Sequence, residues 1–391
     1  MPSSDTGDAP VIVSSDPAGF PWSVFHRRHP LLFGRLRDAL PYGPEELRRL
    51  HAFEAESVGG VIRPLDAGEP DQELWDAWSL PYRGLPWTEP PFLWAEVYFY
   101  RKLLSATGWF GPGPMRGVDP FAPFKDAELS GPAVDAELAA LDRLAGQDPA
   151  GAGAALLLSS LWGNRADLLF EVSAGRVDGS PATDGLLVDD GAAVLAHLRE
   201  QPPGRVGLIA DNAGRELLPD LVLLHHLLDA GLATTAVLYV KPQPYYVSDA
   251  TAADVHAALR RLRDAPGAAG KVGAELWQAV GEGTLTIGTH PFFCAPFPFL
   301  EMPDDLREEL SGATLTVVKG DLNYRRLVED RHWPATTPFA APTGYFPGPV
   351  AALRTVKSDV VVGLDPATAA ALESEPGWRT SGTRAVLQFR R

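Results

Sequence analysis

Cysteine is all but missing from this 391-residue chain: Cys294 is the single example. A disulfide within the chain, a Cys-only zinc site and a Cys-x-x-Cys redox pair are therefore excluded. Positive charge is scarce too. Thirty-four Lys and Arg stand against fifty Asp and Glu, for a net charge of −16. That balance argues against general affinity for nucleic acid or an anionic membrane. An anionic small molecule would need a local patch of Lys, Arg or metal. No uncharged apolar run approaches the roughly 18 residues of a membrane span. The stretch from Met1 to Asp5 lacks the basic and apolar regions of a signal peptide, so the expected location is the cytoplasm. Several catalytic signatures are absent. There is no Gly-x-x-x-x-Gly-Lys-[Ser/Thr], no His-Glu-x-x-His, no Gly-x-Ser-x-Gly, no Asp-x-Asp, and no Gly-x-Gly-x-x-Gly after a strand-like run.

What is present is an ordinary globular composition, 45% apolar and 21% charged. The length suffices for one large domain or two and for a substantial core. Residues 1–22 are rich in Ser, Asp, Pro and Gly and are expected to be poorly ordered. Residues 23–150 read as helices and loops. Pro44-Glu45-Glu46 opens one helix with a proline and two acids in its first turn. Pro91 to Leu104 and Ala133 to Leu144 read as two more. Residues 151–391 read differently. After an apolar helix, Ala155 to Trp162, strands and helices alternate: strands at Arg205–Ala210, Thr235–Val240, Leu285–Thr289, Thr314–Val318 and Asp359–Gly363, with helical segments between. Alternation of this kind predicts an α/β fold: three layers, α/β/α, with a mainly parallel sheet and an N-terminal helical subdomain. The Gly/Ala-rich stretch Ala145 to Gly153 is the boundary between the two parts.

Acidic and amide side chains recur at the tips of the expected strands, where open α/β sheets bind their ligands. Asp211-Asn212 follows Val206 to Ala210, and Ala213-Gly214 and a helix follow in turn. Both are hard oxygen ligands suited to a divalent cation. A plain helix cap would use the same residues. Thirty-eight residues on, Ser248-Asp249 follows the next strand. That spacing fits one βαβ unit, so Asp249 is expected to face Asp211 across neighbouring tips. A cap is again the alternative.

The third tip, Lys319-Gly320-Asp321-Leu322-Asn323-Tyr324-Arg325, concentrates polar groups in one loop that can hold a phosphate. The fourth, Arg354-Thr355-Val356-Lys357, carries one of only six lysines. A lysine is a compact charge for a phosphoryl oxygen, though a solvated basic edge looks the same in sequence. Two lesser candidates lie elsewhere. Glu96, among Trp94, Tyr98 and Phe99, is expected to be buried and paired. Asn164, after Gly163, reads as a helix C-cap. His225-His226 lie inside an apolar helix and read as structural.

Taken in order, Trp162-Gly163-Asn164 with Asp167, Asp211-Asn212-Ala213-Gly214 with Glu216, Ser248-Asp249, Lys319 to Arg325, and Arg354-Thr355-x-Lys357 resemble the metal-dependent damage-control phosphatases. The similarity is to the sugar-phosphate branch with its Arg-Thr-x-Lys signature, also known as acidic residue methyltransferase-like. It runs from about Trp22 to the C-terminus. The resemblance implies a phosphatase using Mn, Ni, Co or Mg, with fructose 1-phosphate, fructose 6-phosphate or related esters as substrates. It implies Asp211, Asn212 and Asp249 as metal ligands. It implies a substrate site of Glu96, Asn164, Asp211, Asn212, Glu216, Asp321, Leu322, Asn323, Tyr324, Arg325 and Lys357, with Asp211, Asp321 and Lys357 as the catalytic set. Two Asp and one Asn would give the cation a protein charge of −2. The sequence leaves water and an Asp carboxylate both open as the attacking nucleophile. The competing expectation is an S-adenosylmethionine-dependent protein-glutamate O-methyltransferase, a label the same branch carries. Against it, the first strand-to-helix loop holds Asp211-Asn212 and no glycine-rich turn.

Overall fold

The computed structural model describes residues 9–144, 149–163 and 185–391. Seven strands form one sheet in the order β1-β7-β6-β5-β2-β3-β4. They are β1 (Leu186–Asp189), β2 (Gly204–Ile209), β3 (Ala233–Val240), β4 (Leu285–Thr289), β5 (Ala313–Lys319), β6 (Val350–Thr355) and β7 (Ala385–Arg390). The five strands from β6 to β4 run parallel, and β7 lies antiparallel to β6. From β2 the chain proceeds outward through β3 to β4. From β5, paired directly to β2, it proceeds the other way to β6. The boundary between β2 and β5 is thus a topological switch point, where a crevice opens beyond the strand ends.

Alternation along each strand sorts the side chains into two cores. Val206, Leu208, Leu238, Leu315, Val317 and Leu353 face one helical layer, which includes Pro149–Trp162, Leu217–Asp229 and Ala252–Arg263. Ile209, Val237, Tyr239, Val318, Ala352 and Val386 face the other. The N-terminal helices pack on this second face. His29–Ala39, Pro44–Gly59 and Phe92–Thr107 bring Phe33, Phe53 and Phe99 into the same core as the strands. The helix Phe92–Thr107 is apolar nearly all round, and 14 of its 16 residues are buried. A helix of that kind belongs inside a protein. Residues 9–14, placed by composition in a poorly ordered stretch, are docked. Ile12 N–H donates to Asp330 O at 3.2 Å, and Ser14 N–H to Thr88 O at 3.2 Å.

One expected strand is corrected. Val360, Val361 and Val362 are buried, but Asp359–Gly363 joins no ladder. Side chains satisfy its backbone instead: Gln388 Nε2 donates to Val362 O at 2.7 Å, and Arg354 donates to Val360 O. The apolar run Val360-Val361-Val362 therefore reads as a strand while serving as a buried strap. The strands β1, β6 and β7 were not anticipated. Helices His29–Ala39, Gly191–Glu200 and Gly267–Glu282 also went unread.

Candidate active site

Four strand ends feed one cavity. β2 runs into Ala210-Asp211-Asn212, β3 leads to the loop 245–249, β5 ends at Lys319-Gly320 before Asp321, and β6 ends before Lys357. Asp211, Asn212, Asp249, Asp321 and Lys357 all line this cavity of 540 Å³. The loop carrying Asp249 is pinned to the β2 tip by backbone. Ala250 N–H donates to Asp211 O at 2.8 Å, and Ala213 N–H to Ser248 O at 2.7 Å. Asn212 and Asp249 form an isolated antiparallel bridge. Two residues of the same loop, Tyr246 and Val247, have φ of 45° and 67°. Positive φ at a β-branched residue is costly and marks a conformation held by its surroundings. Here the hold is visible: Tyr246 stacks on Tyr100, with centroids 4.5 Å apart, and its hydroxyl donates to Glu96 at 3.0 Å.

Gly320 explains how Asp211 and β5 approach so closely. Its φ is +84°, and a Cβ there would lie 2.0 Å from Asp211 Cγ. Asn212 Nδ2 donates to Asp211 Oδ2 at 3.1 Å and to Glu216 Oε2 at 3.0 Å. Its carbonyl accepts from Ser248 Oγ at 2.6 Å and retains a second lone pair. Glu216 packs against Gly163, whose own φ is +60°.

The β2 and β3 tips bring buried acids together. Asp211 is 8% exposed and Asp249 2%. Burial, then the Asp249 and Glu216 charges, push the Asp211 carboxyl well above its usual range. Burial also raises Asp249, against the opposing pull of Lys241. Asp249 Oδ2 stands 3.4 Å from Lys241 Nζ yet accepts no hydrogen bond among the described residues. Two crowded carboxylates, one of them with an orphaned oxygen, and an adjacent amide carbonyl fit a hard divalent cation. Among the described residues no group of three or more His, Cys, Asp or Glu converges as a metal site, and the third donor here is the Asn212 amide.

Asp321 differs. Burial would raise it, but Arg354, Arg325 and donated hydrogen bonds outweigh burial and hold it below the usual range. Arg354 Nε donates to Asp321 Oδ1 at 2.8 Å, and the Lys357 N–H at 3.1 Å. The Lys357 ammonium is held above its usual value. Burial lowers it, and Glu216, Asp211 and Asp321 more than reverse that.

The other expected site residues divide. Leu322, Glu96 and Arg325 line the cavity. Glu96 is buried and paired as expected: Arg325 Nη1 donates to its Oε2 at 2.7 Å, while Arg325 also grips Asp330 with two bonds of 2.8 and 2.9 Å. Burial nonetheless leaves the Glu96 carboxyl raised. The Asn323 and Tyr324 side chains turn away from the cavity into the sheet. Asn323 donates to Ala210 O and to Lys319 O, both at 2.9 Å, and accepts from Lys241. Tyr324 donates to Gln388 at 2.8 Å. Asn164 lies outside the described residues.

Sequence reasoning passed over Lys241, the cation buried beside Asp249. Its one signal was a lysine at a strand end in a chain with few of them. It also passed over the N-terminal wall, where Phe20, Arg28, His29, Arg35 and Tyr100 line the cavity.

Residues 24–372 match the model of the damage-control phosphatase ARMT1-like domain. The chain belongs to that family. It is a phosphatase. The damage-control phosphatase ARMT1 of Rattus norvegicus is 32% identical over 98% of this chain and 99% of its own length. The Mus musculus protein of that name is 32% identical over 78% and 75%, and the Danio rerio one 33% over 78% and 74%. A DUF89 family protein from Pyrococcus horikoshii superposes with a TM-score of 0.47 at 15% identity, over 82% of this chain and 88% of its own. Damage-control phosphatases generally depend on a divalent metal and act on small-molecule phosphates. No helix among the described residues of this one is long and apolar enough to cross a membrane.

Proposed function

We propose that this damage-control phosphatase hydrolyses sugar phosphates such as fructose 1-phosphate or fructose 6-phosphate. One observation carries the reading: Asp211, Asn212, Asp249, Asp321 and Lys357 meet at the β2/β5 switch point in one cavity. The volume of 540 Å³ suits a ligand of hexose-phosphate size. Asp211, Asn212 and Asp249 would hold Mn, Ni, Co or Mg. A divalent cation bound there supplies charge neutralisation at the phosphoryl oxygens.

The chain's own residues supply the rest. Lys357, kept protonated by its acidic neighbours, places a second positive charge on the phosphoryl group as charge redistributes in transfer. Asp321 stays ionised and fixed by Arg354, so it orients the Lys357 backbone and accepts a hydrogen bond from a substrate hydroxyl or a water. Glu96 and Arg325 form a rigid polar wall for the sugar. Asn323 and Tyr324 hold the β2, β5 and β7 ends together and position the site through packing. Tight binding of the strand ends matters because phosphoryl transfer depends chiefly on positioning.

The test is phosphate release from a panel of sugar phosphates. Protein is stripped with a chelator and then given Mg, Mn, Co or Ni. Metal-restored release, abolished in Asp211→Ala and Asp249→Ala, is the expected result. Saturable S-adenosylmethionine binding with no metal-stimulated release would instead establish the methyltransferase reading.

A further inference from the structure

The wall of the cavity opposite the strand tips belongs to one helical stretch, Val24–Arg28 continuing into His29–Ala39. Arg28, His29, Leu32 and Arg35 from this stretch all line the cavity. Arg28 and Arg35 are seven residues apart, so they share a helix face at a separation of roughly 10 Å along the axis. In a chain of net charge −16 this pair is conspicuous. The other cavity arginine, Arg325, is consumed by Glu96 and Asp330. Arg28 and Arg35 form no ion pair or hydrogen bond with any described residue. Both are exposed; Arg28 lies over Phe20 at 4.7 Å and Arg35 over Phe124 at 4.4 Å, and the Glu128 carboxylate lies within electrostatic reach of Arg35. Stacking on a ring leaves the edge donors of a guanidinium available for an anion.

A buried histidine stands behind the same wall. His29 is 2% exposed, and both its ring nitrogens lack a hydrogen-bond partner among the described residues. The imidazole stacks on Phe99 with centroids 3.5 Å apart, which fixes its plane. Burial, and the Arg28 charge beside it, keep it neutral down to about pH 3. Both ring nitrogens are closed off from the cavity, so the imidazole backs the wall as a neutral surface, and the exposed arginines are the partners for an oxyanion.

We propose that Arg28 and Arg35 form a second anion-recognition rim, so the preferred substrate is doubly anionic. It would be a polyhydroxylated phosphate ester carrying another phosphate or a carboxylate away from the transferred group. The proposal rests on the phosphatase reading for the first subsite and adds a second. The transferred phosphoryl lies at the strand tips with Lys357, the carbon chain crosses the cavity past His29, and the far anion meets the arginines. Simple hexose monophosphates would fill only the first part.

The experiment compares fructose 1-phosphate with fructose 1,6-bisphosphate on metal-loaded protein: wild type, Arg28→Gln, Arg35→Gln and Arg35→Lys. Total phosphate release gives kcat/KM for each ester, and calorimetry gives each Kd. The expected result is a wild-type preference for the bisphosphate of about tenfold or more, as a charge-assisted contact confers. That ratio collapses toward unity in the Gln variants through KM, and Arg35→Lys restores part of it. Equal kcat/KM and equal Kd for the two esters in wild type overturn the proposal, as does an unchanged ratio in both Gln variants. If neither ester is hydrolysed with any metal, the phosphatase reading fails, and the calorimetric ratio still decides this one. Tighter bisphosphate binding that Arg28→Gln and Arg35→Gln weaken upholds the rim; equal binding removes it.

Discussion

Gly320→Ala puts a methyl group where the active site has no room for one. The added Cβ would fall 2.0 Å from Asp211 Cγ and Oδ2 and 2.5 Å from its Cβ. Non-bonded carbons prefer about 3.5–4.0 Å. The backbone at Gly320, φ 84° and ψ 174°, is a region almost closed to any residue but glycine. Two costs arise. Holding alanine in that conformation costs about 1–3 kcal/mol. Relieving the overlap by moving Asp211 or the end of β5 costs about 1–3 kcal/mol more. Their total is a sizeable part of a typical domain stability of about 5–15 kcal/mol. The two contributions separate in a double-mutant cycle of wild type, Gly320→Ala, Asp211→Gly and the double variant, each followed by urea denaturation. Asp211→Gly removes the carboxylate and its Cβ, so only the backbone cost of alanine remains. The expected coupling is about 1–3 kcal/mol, with the double variant more stable than additivity allows. In the Asp211 background, displacement of the carboxylate by about 1 Å should lower turnover about a hundredfold. A Gly320→Ala protein with wild-type stability and zero coupling would refute the close-approach argument.

Two further perturbations probe the charges around the cavity. Lys241→Met removes the cation paired with Asp249, where both side chains are nearly fully buried; chelator-stripped protein should lose about 3–5 kcal/mol. Saturating Mn should recover much of that loss by giving Asp249 another cation, so equal destabilisation with and without Mn in thermal melts would contradict the pairing. The second concerns pH. Burial and Arg28 lower the His29 pKa to about 3 from its ordinary 6.5. Between those values the unfolded chain binds a proton that the folded imidazole refuses. The stability contributed is full above about pH 6.5 and declines as pH falls toward 3, by about 1.4 kcal/mol per unit. His29→Phe keeps the stack on Phe99 and should flatten that part of the slope in urea melts at about pH 7.5, 6 and 5. A wild-type slope no steeper than the variant's would remove the argument.

The sheet was legible where hydrophobic runs ended in polar tips. The segment Leu285–Thr289 has the same bounds in sequence and structure. Strands β2, β3 and β5 differ from expectation by a residue or two, because each is buried on both faces and so is a continuous apolar run bounded by turn residues. The antiparallel edge was not legible. β6 carries Arg354 next to its end, and that arginine reads as a solvated basic edge. In the structure it is fully buried, with its charge taken by Asp321 and its donors by Val360 and Ser358. No local pattern announces that a guanidinium will be satisfied by a strap that itself mimics a strand. The loop at the β5 tip divides for a similar reason. Asp321 and Leu322 line the cavity, and the next two residues turn inward because a helix begins at Asp321 and carries successive side chains around its axis.

That contrast separates chemistry from selectivity in this fold. Asp211, Asp249, Asp321 and Lys357 each follow their own strand, so a short stretch of sequence places each of them at the crevice. The facing wall reaches the crevice only through the aromatic core that joins the N-terminal helices to the sheet. Arg28 and Arg35 contact no residue of the strand-tip motifs through an ion pair or hydrogen bond among the described residues. Substitutions along that helix can therefore change which ester is accepted while the strand tips stay as they are. A chain can keep every motif of the family and still differ in substrate, and the difference would be found in the helix face that bears Arg28 and Arg35.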